Sequence, residues 1–587
     1  GAAFAFSGIA APNGGIQMGG HADNRLVIAP DVVIPSRTDR MGTGVVVFEG
    51  AVTSTVASGY ALIFGAGTSV FSGDASLAVP SAIVGIGNGS PAVVTLTNQA
   101  VWSVNELQFG VASSGTTRGT LVQDSEDSEV SAGLVRLQYH NVGSPTNVFY
   151  RLRKGKLTAA EMIVGEKAPG SFENEEGELR SGKVQVRNGE FVQRGGLSEI
   201  GALSVGNTNL TAAVKLAGGT LQVTSDISSL WMPEWQTFAF SGGVLRVTNS
   251  LSCRLPIALS GSVTFDTPNS GQGLTVRRGF SGRAQVVKTG AGGFGFGLGE
   301  MPQAFLSGSL TISNGYVGLP ANFELSSFEG SEEPLAVKVC DGAILRLQDI
   351  TTVVSVPLDL AIEGSGKIDF PFVVNGAYNR GIVVARTLSK DGVALPPGRY
   401  TTADGFVTGG SAACSVVVPI TWTGAGDGES WNDPANWAGE SVPNGATAVA
   451  DLSNARGDVR LDSAVTLTCL VYNPQGAQRG LSLVGNGSLT LHVPVIVSPC
   501  LFVGPGRTLA LDVPLSRTPD GGSLAIIGGG SIQVNKGFPG IGGGQGASFS
   551  LNGQLVFAGN TQMGNTMLGL WRHELNGQAT VVFTNGC

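Results

Sequence analysis

Apolar residues along this chain alternate with polar ones over short stretches that end in Gly, Asn, Ser or Asp. Val93–Thr97, Ala213–Ala217, Ser262–Asp266, Ser309–Ser313, Ser488–His492 and Gln554–Ala558 show the pattern, which recurs more than a dozen times. A period of two with β-branched residues, closed by turn formers, predicts short strands. Helical spacing is almost absent. The strands also resemble one another. Gly218-Gly-Thr-Leu-Gln-Val-Thr224 returns as Gly242-Gly-Val-Leu-Arg-Val-Thr248, and Gly530-Ser-Ile-Gln-Val534 is followed by Gly553-Gln-Leu-Val-Phe557. A shift in the low twenties suits one turn of a repeat architecture. The predicted fold class is therefore all-β: a right-handed parallel β-solenoid (β-helix) with Gly-rich corners. A string of β-sandwiches is the competing reading. It gives no reason for strands in different environments to look alike.

Composition sharpens this picture. Glycine supplies 89 of 587 residues, charged residues only 13% and apolar residues 42%. The chain can bury a large core, but it lacks the Lys/Glu/Arg surface of a helical protein. The net charge is −8, so no basic face invites nucleic acid. The densest basic cluster is Arg151, Arg153, Lys154 and Lys156, expected to be a solvated strand end. The acidic runs Asp124–Glu129 and Glu173–Glu178 read as exposed loops, with a loose Ca²⁺ site as the minor alternative. No apolar run is long enough for a membrane-spanning helix. The chain opens on Gly1, which fits either a mature form or a window of a longer chain.

Candidate chemistry is sparse. The six cysteines, at 253, 340, 414, 469, 500 and 587, form no CxxC pair; they read as small buried residues with room for one or two disulfides. The histidines, at 21, 140, 492 and 573, show no metal-ligand spacing. Gly364-Ser-Gly-Lys367 and the Gly-rich run 541–546 lack the rest of a phosphate loop, so no cofactor is expected. A β-helix hydrolase would need two carboxylates on one face. Asp341, Asp349, Glu363 and Asp369 are the candidates, and none forms a compact motif. Trp422, Trp431 and Trp437 read first as a cap over a first rung and second as glycan-contact aromatics. Trp231 and Trp235 are weaker ligand candidates on a loop.

Three segments resemble the autotransporter-associated β-strand repeat proteins of bacterial surfaces. Val286-Val-Lys-Thr-Gly-Ala-Gly-Gly293 with Gly308-Ser-Leu-Thr-Ile-Ser-Asn-Gly315 looks like the family's repeat, although the intervening Phe294-Gly-Phe-Gly-Leu298 is richer in Gly. Leu388–Asp404 with Cys414–Val418 resembles a closing segment, and Ile420–Trp437 with Val442-Pro443 and Ala446–Asp451 resembles an opening one. The resemblance implies two consecutive modules, 1–418 with a closing segment at 386–418 and 419–587 with an opening segment at 420–451. It also implies an extracellular or cell-surface location.

The function expected from these readings is structural and non-enzymatic: a solenoid building a surface stalk, coat or filament by self-association. A secreted polysaccharide lyase or glycoside hydrolase, and a carbohydrate-binding adhesin, are the alternatives. The expected partners are further copies of the chain in a homo-oligomer or filament with end-to-end contacts, and glycans. Ala3-Phe-Ala-Phe-Ser7 sits before a Pro-Asn-Gly-Gly turn. It is either a self-association strand, with Phe4 and Phe6 filling pockets of a neighbour, or simply the first rung.

Overall fold

The structure, a computed structural model, describes most of residues 25–320 and 335–517, together with short strands before and after them. Its longer interruptions lie at 87–90, 112–117, 138–147, 230–235, 297–304, 321–334, 349–352, 371–381, 410–414, 475–479 and 492–499. The chain is an all-β parallel solenoid built of stacked strands. Among the described residues no helix is long and apolar enough to cross a membrane. Two compact units are present, Gly1–Ala304 and Phe305–Cys587.

In the first unit each rung is turned around three faces. The first face stacks Ala92–Leu96, Gly119–Gln123, Val148–Leu152, Gly170–Asn174, Gly189–Gln193 and Ala212–Leu216 in parallel register. The second and third faces share long strands such as Glu129–Leu137, Lys156–Val164, Glu178–Val186 and Leu197–Val205, each bent in the middle. The bend shows in the burial of Glu129–Leu137, where Val130 and Ala132 point inward, Gly133 and Leu134 do not, and Val135 and Leu137 do again. Two outward positions in succession shift the period-2 alternation by one and turn the chain.

Like residues stack because the register is parallel. Leu121, Tyr150, Phe172, Phe191, Val214 and Phe238 form one inward column, and all are fully buried. Leu221 lies directly opposite Leu245, both fully buried, so the 24-residue recurrence is one rung. In the second unit Ile532 lies opposite Leu555 at the shorter shift seen in the sequence. The step is not constant. Trp102 pairs with Val130 but Leu179 with Ser198, because corner loops absorb length while the strands hold register.

The paired glycines make one corner. Gly195, Gly218 and Gly242 each sit where a Cβ would come within 2.0–2.5 Å of a carbonyl oxygen of the preceding rung. Gly196, Gly219 and Gly243 follow with φ of 62°, 62° and 86°, the left-handed region open to glycine.

In the second unit, Leu335–Val339, Leu358–Ile362 and Thr387–Lys390 continue a parallel ladder. The segment expected to close a module breaks that order. Thr387–Lys390 folds back on Val393–Ala394 through a hairpin with positive φ at both Asp391 and Gly392, and Gly398–Tyr400 runs antiparallel to Ser415–Val418. From Ile420 onward three new parallel ladders begin. The compact units nevertheless divide at 304/305, so the module boundary expected near 419 lies inside the second unit. Face-to-face packing supplies the reason. Val384 and Val417 pack against Val449, Cys469 and Val471, which joins the strands before 419 to those after it.

Candidate functional site

The acidic and basic runs turn out to be one feature. They occupy the same corner on successive rungs, with the basic turn Arg153–Lys156 lying between the acidic turns around Asp124–Glu129 and Glu173–Glu178. Arg153 reaches Asp124 at 3.5 Å and Glu175 at 3.6 Å, Lys154 reaches Glu126 at 3.4 Å, and Arg194 on the next rung pairs with Glu173. Reading the runs as separate solvated loops missed this, although the rung spacing already placed them in register. Among the described residues no group of His, Cys, Asp or Glu could hold a metal ion.

The outward positions of the strands repeat the theme. On the second face Arg180, Glu199, Gln222, Arg246, Asp266 and Thr289 succeed one another in register. Arg180 and Gln222 both contact Glu199 at 3.4 Å; Arg246 and Thr289 both hold Asp266, at 2.8 and 3.0 Å. The second unit uses the same Arg–Asp–Thr arrangement. Asp369 accepts from Arg346 and Thr408, both at 3.1 Å, and Asp359 accepts from Arg386 at 2.9 Å and Thr387 at 2.7 Å.

The carboxylates weighed for catalysis fall into these ladders. Asp369 is paired as described and Glu363 meets Lys338 at 2.7 Å. Asp341 is a turn residue before Gly342; it accepts from the Ser365 amide and hydroxyl, both at 2.7 Å, and these bonds hold its carboxyl below the usual range. Gly364 and Ser365 are the turn of the next rung, so the phosphate-loop likeness of 364–367 is a corner. Asp349, all four histidines and the run 541–546 lie outside the described residues.

The three tryptophans are 1%, 0% and 2% exposed at 422, 431 and 437, and belong to the interior cluster of the ladders that follow. Trp431 and Trp437 meet edge to face at 4.7 Å, and Trp437 makes a like contact with Trp422 at 4.9 Å. The indole of Trp431 donates to the Pro443 carbonyl at 3.2 Å and that of Trp437 to the Trp431 carbonyl at 2.7 Å. Asn436 and Asp427 fix the surrounding turn through the amides of Gly426, Gly428, Glu429 and Ser430. No ring face is left for a sugar. Trp231 and Trp235 lie outside the described residues. Phe4–Ala5 pairs in parallel with Leu26 and Val27 of its own chain, as a first rung would, while Phe6 lies outside the described residues.

One concavity is an open furrow of about 300 Å³ along the bend between the second and third faces. Gly182 and Gly201 form its floor, with Thr158, Arg180, Glu199 and Gln222 on its wall. The floor is backbone because a Cβ at Gly201 would come within 2.1 Å of the Gly182 carbonyl. No aromatic ring lines it, and its charged groups are engaged with each other.

Sequence reasoning missed two buried cations. Arg40 is fully buried and donates to the carbonyls of Gly42, Gly44, Ala66 and Thr68; burial lowers its pKa to about 10. Lys288, the Lys of Lys-Thr-Gly, continues the column of Leu221, Leu245 and Phe265 inward. Its ammonium donates to the Thr289 and Gly290 carbonyls of its own corner, and burial lowers its pKa to about 8. Elsewhere the corner is filled by neutral groups. Gln123, held by the Tyr150 hydroxyl at 2.6 Å, and Asn174, bonded to Ser198 at 3.1 Å, satisfy carbonyls of the turn.

Comparison with family models, with curated proteins and with solved structures finds no match for this chain.

Proposed function

We propose that this chain is a non-catalytic extracellular scaffold, a β-solenoid that builds a surface stalk, coat or filament by association with copies of itself. The observation that carries the reading is the use made of the outward side chains. Carboxylates and guanidiniums that could converge on a substrate are instead spread along the rungs and tied to the rung above or below, as in Arg246–Asp266–Thr289 and Arg346–Asp369–Thr408. Each exposed pair contributes little by itself, about 0.2–1 kcal/mol. Repeated at successive rungs, such pairs favour one register and resist sliding of one rung over the next.

The resemblance to autotransporter-associated repeats supports the surface location, and the low charge with Ser, Thr, Asn and Gly at the corners suits it. Two experiments test the reading. On intact cells expressing the full chain, added protease should digest it; full protection would overturn the extracellular assignment. Incubation with a panel of acidic and neutral polysaccharides should release no products. Cleavage that is lost in Asp369→Asn or Asp341→Asn would replace the scaffold with an enzyme.

A further inference from the structure

We propose that Asn314 is a site of spontaneous covalent conversion, at which the amide nitrogen of Gly315 attacks the Asn314 side chain, expels ammonia and leaves aspartate and isoaspartate in a corner of the second unit. Asn314 and Gly315 turn the chain from the strand Phe305–Ile312 into Tyr316–Pro320, and Asn314 is exposed to water. The Gly315 N–H donates to Oδ1 of Asn314 at 2.7 Å. Cγ is bonded to that oxygen at about 1.23 Å, so it lies within about 3.9 Å of the nitrogen whatever the angle. A near-attack arrangement needs about 3–3.5 Å, which a rotation of the side-chain amide supplies. Gly315 has φ 68° and no Cβ to crowd the five-membered ring that attack closes.

The other Asn-Gly pairs among the described residues, at 188, 444 and 486, make the contrast. In each the glycine amide is engaged by a carbonyl of a neighbouring rung: Gly189 donates to Thr211 at 2.9 Å, Gly445 to Thr466 at 2.7 Å and Gly487 to Leu461 at 2.7 Å. An amide held in this way must give up that bond before its nitrogen can lose a proton and attack. Asn188 is also buried. Asn444 is clamped at both ends, its Oδ1 accepting from the Thr466 amide at 2.8 Å and its Nδ2 donating to the Ala464 carbonyl at 3.4 Å. At 314 the glycine amide instead faces the side chain that it would attack.

The chemistry needs only water. The Gly315 nitrogen gives its proton to hydroxide and bonds to Cγ. The bond from Cγ to Nδ2 breaks, and that nitrogen leaves as ammonia with a proton taken from water. One water molecule then opens the cyclic imide. Breaking its bond between Cγ and the Gly315 nitrogen restores the main chain and leaves aspartate. Breaking the bond between that nitrogen and the Asn314 carbonyl carbon routes the main chain through Cγ and leaves isoaspartate. Water is consumed, ammonia is released and nothing is oxidised. Either product adds a negative charge near neutral pH. Isoaspartate also lengthens the corner by one backbone atom, beside the Gly315 carbonyl that accepts from the Ile344 amide of the next rung at 2.9 Å.

The conversion stands or falls apart from the scaffold reading, because no step depends on assembly. The test is peptide mapping by mass spectrometry of the full chain, held native in mildly alkaline buffer made with heavy-oxygen water. The peptide containing Asn314 should give two new species, aspartate and isoaspartate, each carrying one heavy oxygen. It should convert at least about tenfold faster than the peptides containing Asn188, Asn444 and Asn486, whose amides react only when their rungs open. In the denatured chain all of these pairs should convert at comparable rates. Asn314 left intact in the native chain while the denatured chain converts, or ladder pairs that keep pace with it, would overturn the proposal. Aspartate without isoaspartate would mean direct attack by water and would also overturn it. Asn314→Gln, which would have to close a six-membered ring, should convert at least about tenfold more slowly; conversion of that peptide at the wild-type rate would place the reaction at another residue and sink the assignment.

Discussion

Replacing Trp431 with Ala should unlock the start of the second set of ladders. The ring is fully buried, its edge contacts Trp437 at 4.7 Å, and its N–H satisfies the Pro443 carbonyl at 3.2 Å. A Trp side chain hides about 200 Å² of surface, which at about 25 cal/mol per Å² gives roughly 5 kcal/mol. Measured Phe/Trp→Ala substitutions in cores cost about 3–5 kcal/mol. The upper end applies here, because an aromatic pair and a buried hydrogen bond go with the ring. Unfolding of so long a repeat chain is not two-state, so a single melting temperature is the wrong readout. Native-state hydrogen exchange of the full chain is the right one. Amides of Val449–Asp451, Ala464–Leu467 and Cys469–Tyr472 should exchange about a hundredfold to several thousandfold faster, at about tenfold per 1.4 kcal/mol. Those of Glu178–Val186 should not change. Unchanged exchange in all strands, with loss of binding on a glycan array, would refute the cap and restore a sugar-binding role for the ring.

Other perturbations test the corners. Gly218→Val should destabilise its rungs by several kcal/mol, since even a Cβ would lie 2.0 Å from the Arg194 carbonyl, whereas Gly271→Ala, with φ +79 but open space around it, should cost only about 1–2 kcal/mol; equal losses by exchange would contradict the close-approach account. Arg153→Glu places a carboxylate between Asp124 and Glu175 and should destabilise that region by about 1–2 kcal/mol, read as a lower urea midpoint, and less so in 1 M salt at a Debye length of about 3 Å; a loss independent of salt would argue against electrostatic coupling of the corners. Lys288 has a pKa lowered from 10.5 to about 8 on folding, so between these values the unfolded chain binds more protons and stability should rise with pH. Lys288→Met should remove that slope, measured as the urea midpoint of the region around Val286; a slope that persists in the variant belongs to another group.

Much of the fold was legible because a parallel solenoid writes its register into the sequence. Leu221 and Leu245 share a column, so they also share a sequence context, Gly-Gly-x-Leu-x-Val. The paired glycines announced the corner because a carbonyl of the preceding rung approaches there too closely for a side chain. The burial of the three tryptophans was legible because three large rings around a Gly/Asp turn need a core. The step from rung to rung was less legible. Corners such as 124–129 and 194–196 differ in length, and no periodicity fixes a spacing that loops are free to change. That variability hid the alternation of acidic, basic and acidic turns. Lys288 and Arg40 were missed because a charged side chain on a strand reads as outward by default; only the geometry shows Lys288 folded onto the carbonyls of its own corner and Arg40 onto those of its own corner and the next. The face-to-face packing of Val384 and Val417 on Val449, Cys469 and Val471 was also invisible, since both strands read simply as apolar and nothing local says what covers them.

Electron microscopy of the purified full chain over a range of concentrations, alongside a variant lacking residues 1–10, tests the central claim most directly. The account predicts ordered filaments or sheets containing many chains, growing with concentration and free of added ligand. If Ala3–Ser7 is a donated strand, the deletion abolishes them without altering the exchange of the remaining rungs; if it is the first rung, the deletion loosens its neighbour Arg25–Ile28. Particles that stay single-chain at every concentration, for the intact protein, would contradict the scaffold.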